Sequence, residues 1–206
     1  MLVETELLKV FDDNRNVIGE ASRKDVHHKG YWHETFHCWL TKKEAGIDYI
    51  YFQLRSEQKK DYPNLLDITA AGHLLAHETV VDGIREVKEE LGINISFDNL
   101  IPLGVIAYSM RTEAIVDNEL ANVFLLKYKG SFKEFHLQKE EVSGVFRARF
   151  SEFSDLIFGK IEEIVVEGFM IGKQPSIVKE DVGMYRFVPH QKEFYQEIIR
   201  LIEKEL

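Results

Sequence analysis

The chain has 206 residues, 45% of them hydrophobic and 12% aromatic, which is enough for a globular domain with a full core. Its formal net charge of −9 argues against nucleic acid as the main ligand, because polyanion binding draws on clustered Lys and Arg. The opening MLVETELLKVFDDNRN carries no basic segment leading into a long apolar run, so it reads as neither a signal peptide nor a membrane span.

No Pro/Gly/Ser-rich linker, internal repeat or low-complexity run divides residues 1–206. They read as one domain, with an N-terminal strand region and a C-terminal helix packed on it. Residues 36–40 and 49–54 are aromatic and apolar runs of strand composition. Cys38, the one cysteine, falls inside the first run and reads as a buried structural thiol rather than a nucleophile. Without a second cysteine there is no intrachain disulfide, which is compatible with a reducing cytoplasm. Residues 103–108 and 123–128 are the next predicted strands, and residues 151–158 and 190–206 read as helices. The last of these carries Phe194, Ile198, Ile199 and Ile202 at helical spacing. Helices set between strands argue for an α/β sandwich on a mixed sheet.

Between the second and third strands lies the most informative segment, GHLLAHETVVDGIREVKEELGI at residues 72–93. Val80, Ile84, Val87 and Leu91 form an apolar stripe, while Glu86, Glu89 and Glu90 point away from it on one helical face. Thr79 with Asp82 has the spacing of a capping box, and Gly92 is placed to end the helix. The ordinary reading is an acidic, solvated helix face partly neutralised by Arg85 and Lys88. Against it, unpaired like charges at i and i+4 cost a few tenths of a kcal/mol, a cost that a bound cation reverses. A hard ion such as Mg²⁺ takes carboxylate oxygens, substrate phosphates and water. In an acidic chain an anionic substrate also needs local positive charge, for which Arg55, Lys59 and Lys60 are the nearest candidates.

The segment resembles the Nudix box of the Nudix hydrolases. That pattern runs Gly, five residues, Glu, seven residues, then Arg-Glu-apolar-x-Glu-Glu-x-Gly-apolar. Gly72, Glu78 and the run from Arg85 to Ile93 fit it, except that six residues rather than seven separate Glu78 from Arg85. The short spacer puts the placement of Glu78 in question and leaves Glu86, Glu89 and Glu90 untouched. The resemblance implies an α/β/α sandwich and Mg²⁺-dependent cleavage of a diphosphate linkage, with Mn²⁺ as the alternative ion. Glu86, Glu89 and Glu90 would hold metal, Arg85 would orient a box carboxylate, and Glu89 is the first choice of general base. Glu140 and Glu141 lie where the family often carries a loop base, although adjacent glutamates in a polar loop are more often solvated.

Residues 8–150 are also similar to the isopentenyl-diphosphate isomerase branch of this superfamily, through FDDNRNVIGEASRKDVHHKGYWHETFHCWL, RSEQKKDYPNLLDITAAGH and DNELANVF. That similarity implies diphosphate contacts from Arg55 and Lys59. It also implies a metal centre built from His33, His73, Asp117 and Glu119, to which His27 aligns with a one-residue difference in spacing. The isomerases place a cysteine immediately before the Gly-His of this motif, where this chain has Ala71, which cannot exchange a proton. They also dispense with most box glutamates. Both departures point to hydrolysis of a small organic or nucleoside diphosphate derivative, with an isomerase-like enzyme or a non-catalytic ligand-binding module as the competing readings. Tyr108, Met110 and Arg111 either border the pocket or pack at a strand end. The expected partner is a small-molecule diphosphate, with neither nucleic acid nor membrane, and a homodimer is compatible with the sequence.

Overall fold

The computed structural model of the protein describes residues 6–111, 116–172 and 176–206. Strands β1 (Leu7–Phe11) and β2 (Val17–Ser22) lead through helix α1 (Arg23–Lys29) into β3 (Trp32–Glu44) and β4 (Ile47–Arg55). Two short strands, β5 (Leu66–Asp67) and β6 (Ala70–His73), precede helix α2 (Arg85–Leu91). Then follow β7 (Ile101–Arg111), β8 (Val116–Lys127), β9 (Val142–Arg149), α3 (Phe150–Ile157), β10 (Ile164–Met170), β11 (Val178–Val182) and α4 (Lys192–Glu203).

The described residues form one hydrogen-bonded sheet of eleven strands, with the path β11-β10-β9-β4-β3-β1-β2 and the β7–β8 pair branching from β3. Most pairings are antiparallel, but β3 and β8 run parallel from Trp32↔Asn118 to Thr41↔Lys127, so the sheet is mixed. β3 also pairs with β6 through Thr35↔His73. The β3–β4 hairpin turns on Ala45 and Gly46, both at positive φ (49° and 81°), as a two-residue primed turn requires.

Alternation along the strands fills two cores. Trp39, Ile50, Phe52 and Phe146 face α3 and α4, where they meet Phe153, Leu156, Phe194 and Ile198. Cys38, Leu40, Tyr51 and Val145 face the other way, toward Val87 and Leu91 of α2. Helices thus cover both faces of a mixed sheet, and the expected α/β/α sandwich is what the chain forms.

The expected strands are present but longer. The five-residue apolar run became a thirteen-residue β3 because the polar residues on either side of it, from His33 to Thr35 and from Thr41 to Glu44, are held in the sheet by pairing with β8, β6 and β4. Strands β9, β10 and β11 carry weak alternation and were not expected as strands; each is held mainly by partners distant in sequence. The box helix also starts late. Asp82–Ile84 is a 3₁₀ turn, and the α-helix begins only at Arg85. Thr79 and Asp82 make one arm of the expected box, with the Thr79 backbone N–H donating to Asp82 Oδ2 at 2.8 Å.

Phe153 is fully buried, with its ring against Phe52, Phe187 and Tyr195. Phe153→Ala is expected to cost about 3–5 kcal/mol of folding free energy, measured by urea denaturation, with most of the loss arising from a cavity between β4 and α4.

Candidate active site

The glycine-led loop and α2 are joined by one guanidinium. Arg85 donates from Nε to Glu78 Oε1 (2.6 Å), from Nη1 to Glu86 Oε1 (2.6 Å) and Glu89 Oε2 (3.1 Å), and from Nη2 to the His73 carbonyl (3.1 Å) and Glu78 Oε2 (3.1 Å). Glu78 also accepts from the Leu75 backbone N–H at 2.8 Å and is buried. The short spacer therefore does not displace Glu78. A 3₁₀ turn rises about 0.5 Å more per residue than an α-helix, so Asp82–Ile84 recovers about 1.5 Å, the rise of one helical residue.

The three later glutamates do not share one environment. Glu89 is exposed, with half of its side chain open to solvent. Glu86 lies under Gly72, so close that a Cβ on that residue would overlap its carboxylate, which explains a glycine there. Glu90 was expected to point away from the core with the other two, but it is buried at 6% exposure. Its Oε2 accepts from the Ala71 backbone N–H (3.0 Å) and from Gln53 Nε2 (3.1 Å), because the short α2 turns this position under β6 rather than outward. Burial, together with the neighbouring Glu89 charge, pushes Glu86 up to about 7 despite Arg85. Burial and the Glu86 charge raise Glu90 well above the usual carboxylate range. Two desolvated carboxylates with mutually unfavourable charge are a donor set that fits a hard cation.

Gly92, at φ 71°, ends α2, and the loop after β8 covers the helix end: His136 and Gln138 donate backbone N–H groups to the carbonyls of Leu91 and Glu90. This brings Glu141 into the cleft, where it pairs with Lys59. Glu140 is exposed outside the cleft, so of the two loop acids only Glu141 reaches it. Arg55 also lines the cleft, pairing through Nη1 with Asp67 Oδ2 at 2.8 Å.

A second group of donors borders the same cleft, which encloses about 340 Å³. The parallel register sets His33 beside Glu119, and the antiparallel one sets His73 beside Thr35. Side chains at i and i+2 share a face, so Asp117 and Glu119 project together. Donor atoms of His27, His33 and His73 lie within 4.8 Å of one another, as do those of His33, Asp117 and Glu119. Among the described residues these two trios could hold a metal ion. His33 Nδ1 faces the Tyr31 carbonyl at 3.2 Å, which favours the tautomer with an unprotonated Nε2. That Nε2 and Asp117 Oδ1 are buried without a hydrogen-bond partner, 3.5 Å apart.

Burial lowers all three imidazoles, His27 to about 4 with help from the His33 and Arg23 charges. Burial and Glu119 push Asp117 up to about 8. Glu119, although burial opposes it, is held low by its hydrogen bond to His37. Its Oε2 accepts from Thr35 (2.8 Å), His37 (3.0 Å) and Tyr108 (2.9 Å). Neutral imidazoles beside crowded carboxylates fit a nitrogen- and oxygen-ligated divalent ion.

The sequence had singled out Tyr108 and Met110, and both line the cleft; Arg111 lies outside it, beside Ser109 and Gln191. Thr35, His37, Asp67 and His190 were missed. The i, i+2, i+4 spacing of His33, Thr35 and His37 was a readable signal for the first two, whereas nothing local marks Asp67 or His190. Cys38 is fully buried on the opposite face of β3 from His37, and burial pushes its thiol up, as expected of a structural residue. Ala71 occupies the cleft wall, where its backbone N–H serves Glu90.

No protein-family model matches the chain. A Nudix hydrolase of Clostridium acetobutylicum, itself uncharacterised, is 35% identical over 202 residues, spanning 97% of this chain and 98% of its own. This chain belongs to the Nudix hydrolases and is an enzyme of that family. Nudix hydrolase 3 of Arabidopsis thaliana is 31% identical over 187 residues, 81% of this chain but 24% of that longer protein. An isopentenyl-diphosphate Δ-isomerase of Mycolicibacterium vanbaalenii is 29% identical over 140 residues, 67% of this chain and 74% of its own. Among solved structures, a Deinococcus radiodurans protein superposes with a TM-score of 0.55 at 19% identity, covering 75% of this chain and 90% of its own. The MutT protein of Methanosarcina mazei superposes at 0.50 with 16% identity, covering 84% and 95%. These two superpositions speak to fold alone.

A metal ion held by Glu86 would compete there with a proton. A carboxyl raised to about 7 in the folded protein is protonated below that pH and ionised above it, so metal binding releases a proton in the lower range. Because Glu90 is raised as well, Mn²⁺ affinity, followed by calorimetry, is expected to fall steadily as the pH is lowered through 7, by about tenfold per pH unit for each carboxyl that takes up a proton.

Proposed function

We propose that the protein is a Mg²⁺-dependent hydrolase of a diphosphate linkage in a small organic or nucleoside diphosphate derivative, with Mn²⁺ as the alternative ion. The observation that carries this reading is that a half-buried Glu86 and a buried Glu90 lie together in a cleft whose wall also presents Arg55 and Lys59. Carboxylates suit a metal ion, guanidinium and ammonium suit phosphate, and the cleft brings all four residues together. A volume of about 340 Å³ favours a small ligand.

Glu86, Glu89 and Glu90 would hold Mg²⁺ directly or through water, and the ion would supply charge neutralisation of the bridging phosphates and a more acidic attacking water. Arg85 orients Glu86 and Glu89 rather than touching substrate, since its donors are engaged with Glu78, both of these carboxylates and the His73 carbonyl. Glu89, the open carboxylate, is the first choice to take the proton from water. Glu141 is the second choice, with Lys59 holding it until phosphate competes for the ammonium. Arg55 and Lys59 bind the diphosphate. His27, His33, His73, Asp117 and Glu119 would form a second cation site, fixed by Thr35, His37 and Tyr108 behind Glu119. The whole chain works as one domain, in keeping with the single sheet that runs from β1 to β11.

An isomerase reading is disfavoured by Ala71, which places a methyl group where that chemistry needs a thiol, and Cys38 faces the core instead. A non-catalytic ligand-binding module is disfavoured by the intact set of Glu86, Glu89 and Glu90.

Incubation with a panel of organic and nucleoside diphosphates, with product identification, is expected to release phosphate or a monophosphate from at least one member in the presence of Mg²⁺ and not after chelation. Glu89→Gln is expected to lower that rate by about 10²–10⁴. Equal turnover by wild type and Glu89→Gln would remove Glu89 from the mechanism.

A further inference from the structure

Arg55 stands at the end of β4, and three of its five N–H donors are taken within the described residues. Nε and Nη2 both reach the Asp61 carbonyl (3.1 and 2.8 Å), and Nη1 reaches Asp67 Oδ2 (2.8 Å). Asp67 is itself clamped. Its Oδ1 accepts from its neighbour's backbone N–H at Ile68 (2.8 Å) and faces His190 Nε2 at 2.9 Å. An ionised carboxylate only accepts, so His190 donates from Nε2. The Asp67 and His190 side chains are 7% and 5% exposed.

His190 comes from the far end of the chain. The segment between β11 and α4 runs beside β5, with a parallel bridge between Phe187 and Leu66 and the Val188 N–H donating to the Leu66 carbonyl at 2.8 Å. Tyr195 on α4 donates its hydroxyl to the Val188 carbonyl at 2.7 Å. The His190 ring packs on Tyr108, Phe194 and Tyr195, with centroids 5.7, 5.2 and 5.4 Å away. The imidazole is thus fixed by α4 and β7 before it touches Asp67.

We infer that Asp67 and His190 are a positioning pair that aims Arg55 at the substrate diphosphate, which makes the segment between β11 and α4 part of the substrate site. This rests on the proposed role of Arg55. An arginine free to rotate would lose side-chain entropy on binding phosphate, whereas one fixed in advance loses less and presents its remaining N–H donors in a set plane. The His190 and Ile68 N–H groups occupy Oδ1 of Asp67, so only Oδ2 is left to address the guanidinium. The alternative, a staple that merely holds the C-terminal segment to β5, makes a different prediction, because it has no reason to act through Arg55.

The test is calorimetric titration with methylenediphosphonate and Mg²⁺, with the thermal midpoint of each variant recorded alongside. Arg55→Ala is expected to weaken binding by about fifty-fold, and His190→Phe, which keeps the ring but loses the donor, by about tenfold. His190→Gln retains a donor at the same reach and is expected to bind within about threefold of wild type. The double variant Arg55→Ala/His190→Phe is expected to bind no more weakly than Arg55→Ala alone, because a residue that acts through Arg55 has nothing left to act on. Additive losses in that cycle overturn the inference. So does undiminished binding by His190→Phe while Arg55→Ala is weak, a result that leaves the role of Arg55 standing. Undiminished binding by Arg55→Ala overturns both. If His190→Phe does not fold, the cycle of Asp67→Asn with Arg55→Ala decides on the same terms.

Discussion

The site depends on the Arg85 guanidinium, which ties three parts of the chain that local sequence alone would not hold together. It joins Glu78 of the loop, the carbonyl of His73 at the end of β6, and Glu86 and Glu89 of α2. Isolated surface ion pairs contribute little, but a planar cation with several partly buried carboxylates is a network in which each bond fixes the geometry of the next. The hydrogen bonds and charge of these carboxylates raise Arg85 well above its ordinary value. The α-helix it stabilises is seven residues long, too short to persist in water by itself. Val87 and Leu91 packed against β3 and Arg85 over the cleft fix it from opposite sides.

Around that bond the protein concentrates charges that repel. Half-buried Glu86 and buried Glu90 share the cleft with Asp117 and Glu119, which have three imidazoles beside them. A fold selected for stability alone would not gather desolvated carboxylates, which cost free energy unless they are paired or bind a cation. The second cluster sits where β3 meets β6 and β8, so that side chains far apart in sequence come together. The apolar cores on the two faces of the sheet hold these strands in place. Local destabilisation at the site is offset by packing elsewhere.

Much of this was legible. The box helix, its apolar stripe and its glycine stop follow from periodicity and from the αL preference at Gly92, and α4 from the recurrence of Phe194, Ile198, Ile199 and Ile202. Resemblance supplied the pairing of His33 and His73 with Asp117 and Glu119, and the register of β3 with β8 and β6 brings them together. Less legible were the polar halves of β3, because a strand lining a cleft does not have the composition of one in a core. Glu90 was misjudged for a related reason. A helical wheel gives the direction of a side chain from its own axis, but what lies there, β6 and Gln53 in this case, is set by tertiary packing.

The sequence by itself determined the box, the family frame and the methyl group of Ala71 at the place where the isomerase branch carries a cysteine, since each rests on residue identity at fixed short spacing. Only the tertiary structure decided which carboxylates are desolvated, that Glu141 rather than Glu140 reaches the cleft, and that Asp67 and His190 stand behind Arg55. The physical reason is the same in each case. Burial and charge coupling depend on what the fold brings within a few ångströms, and His190 is 123 positions from the carboxylate it holds.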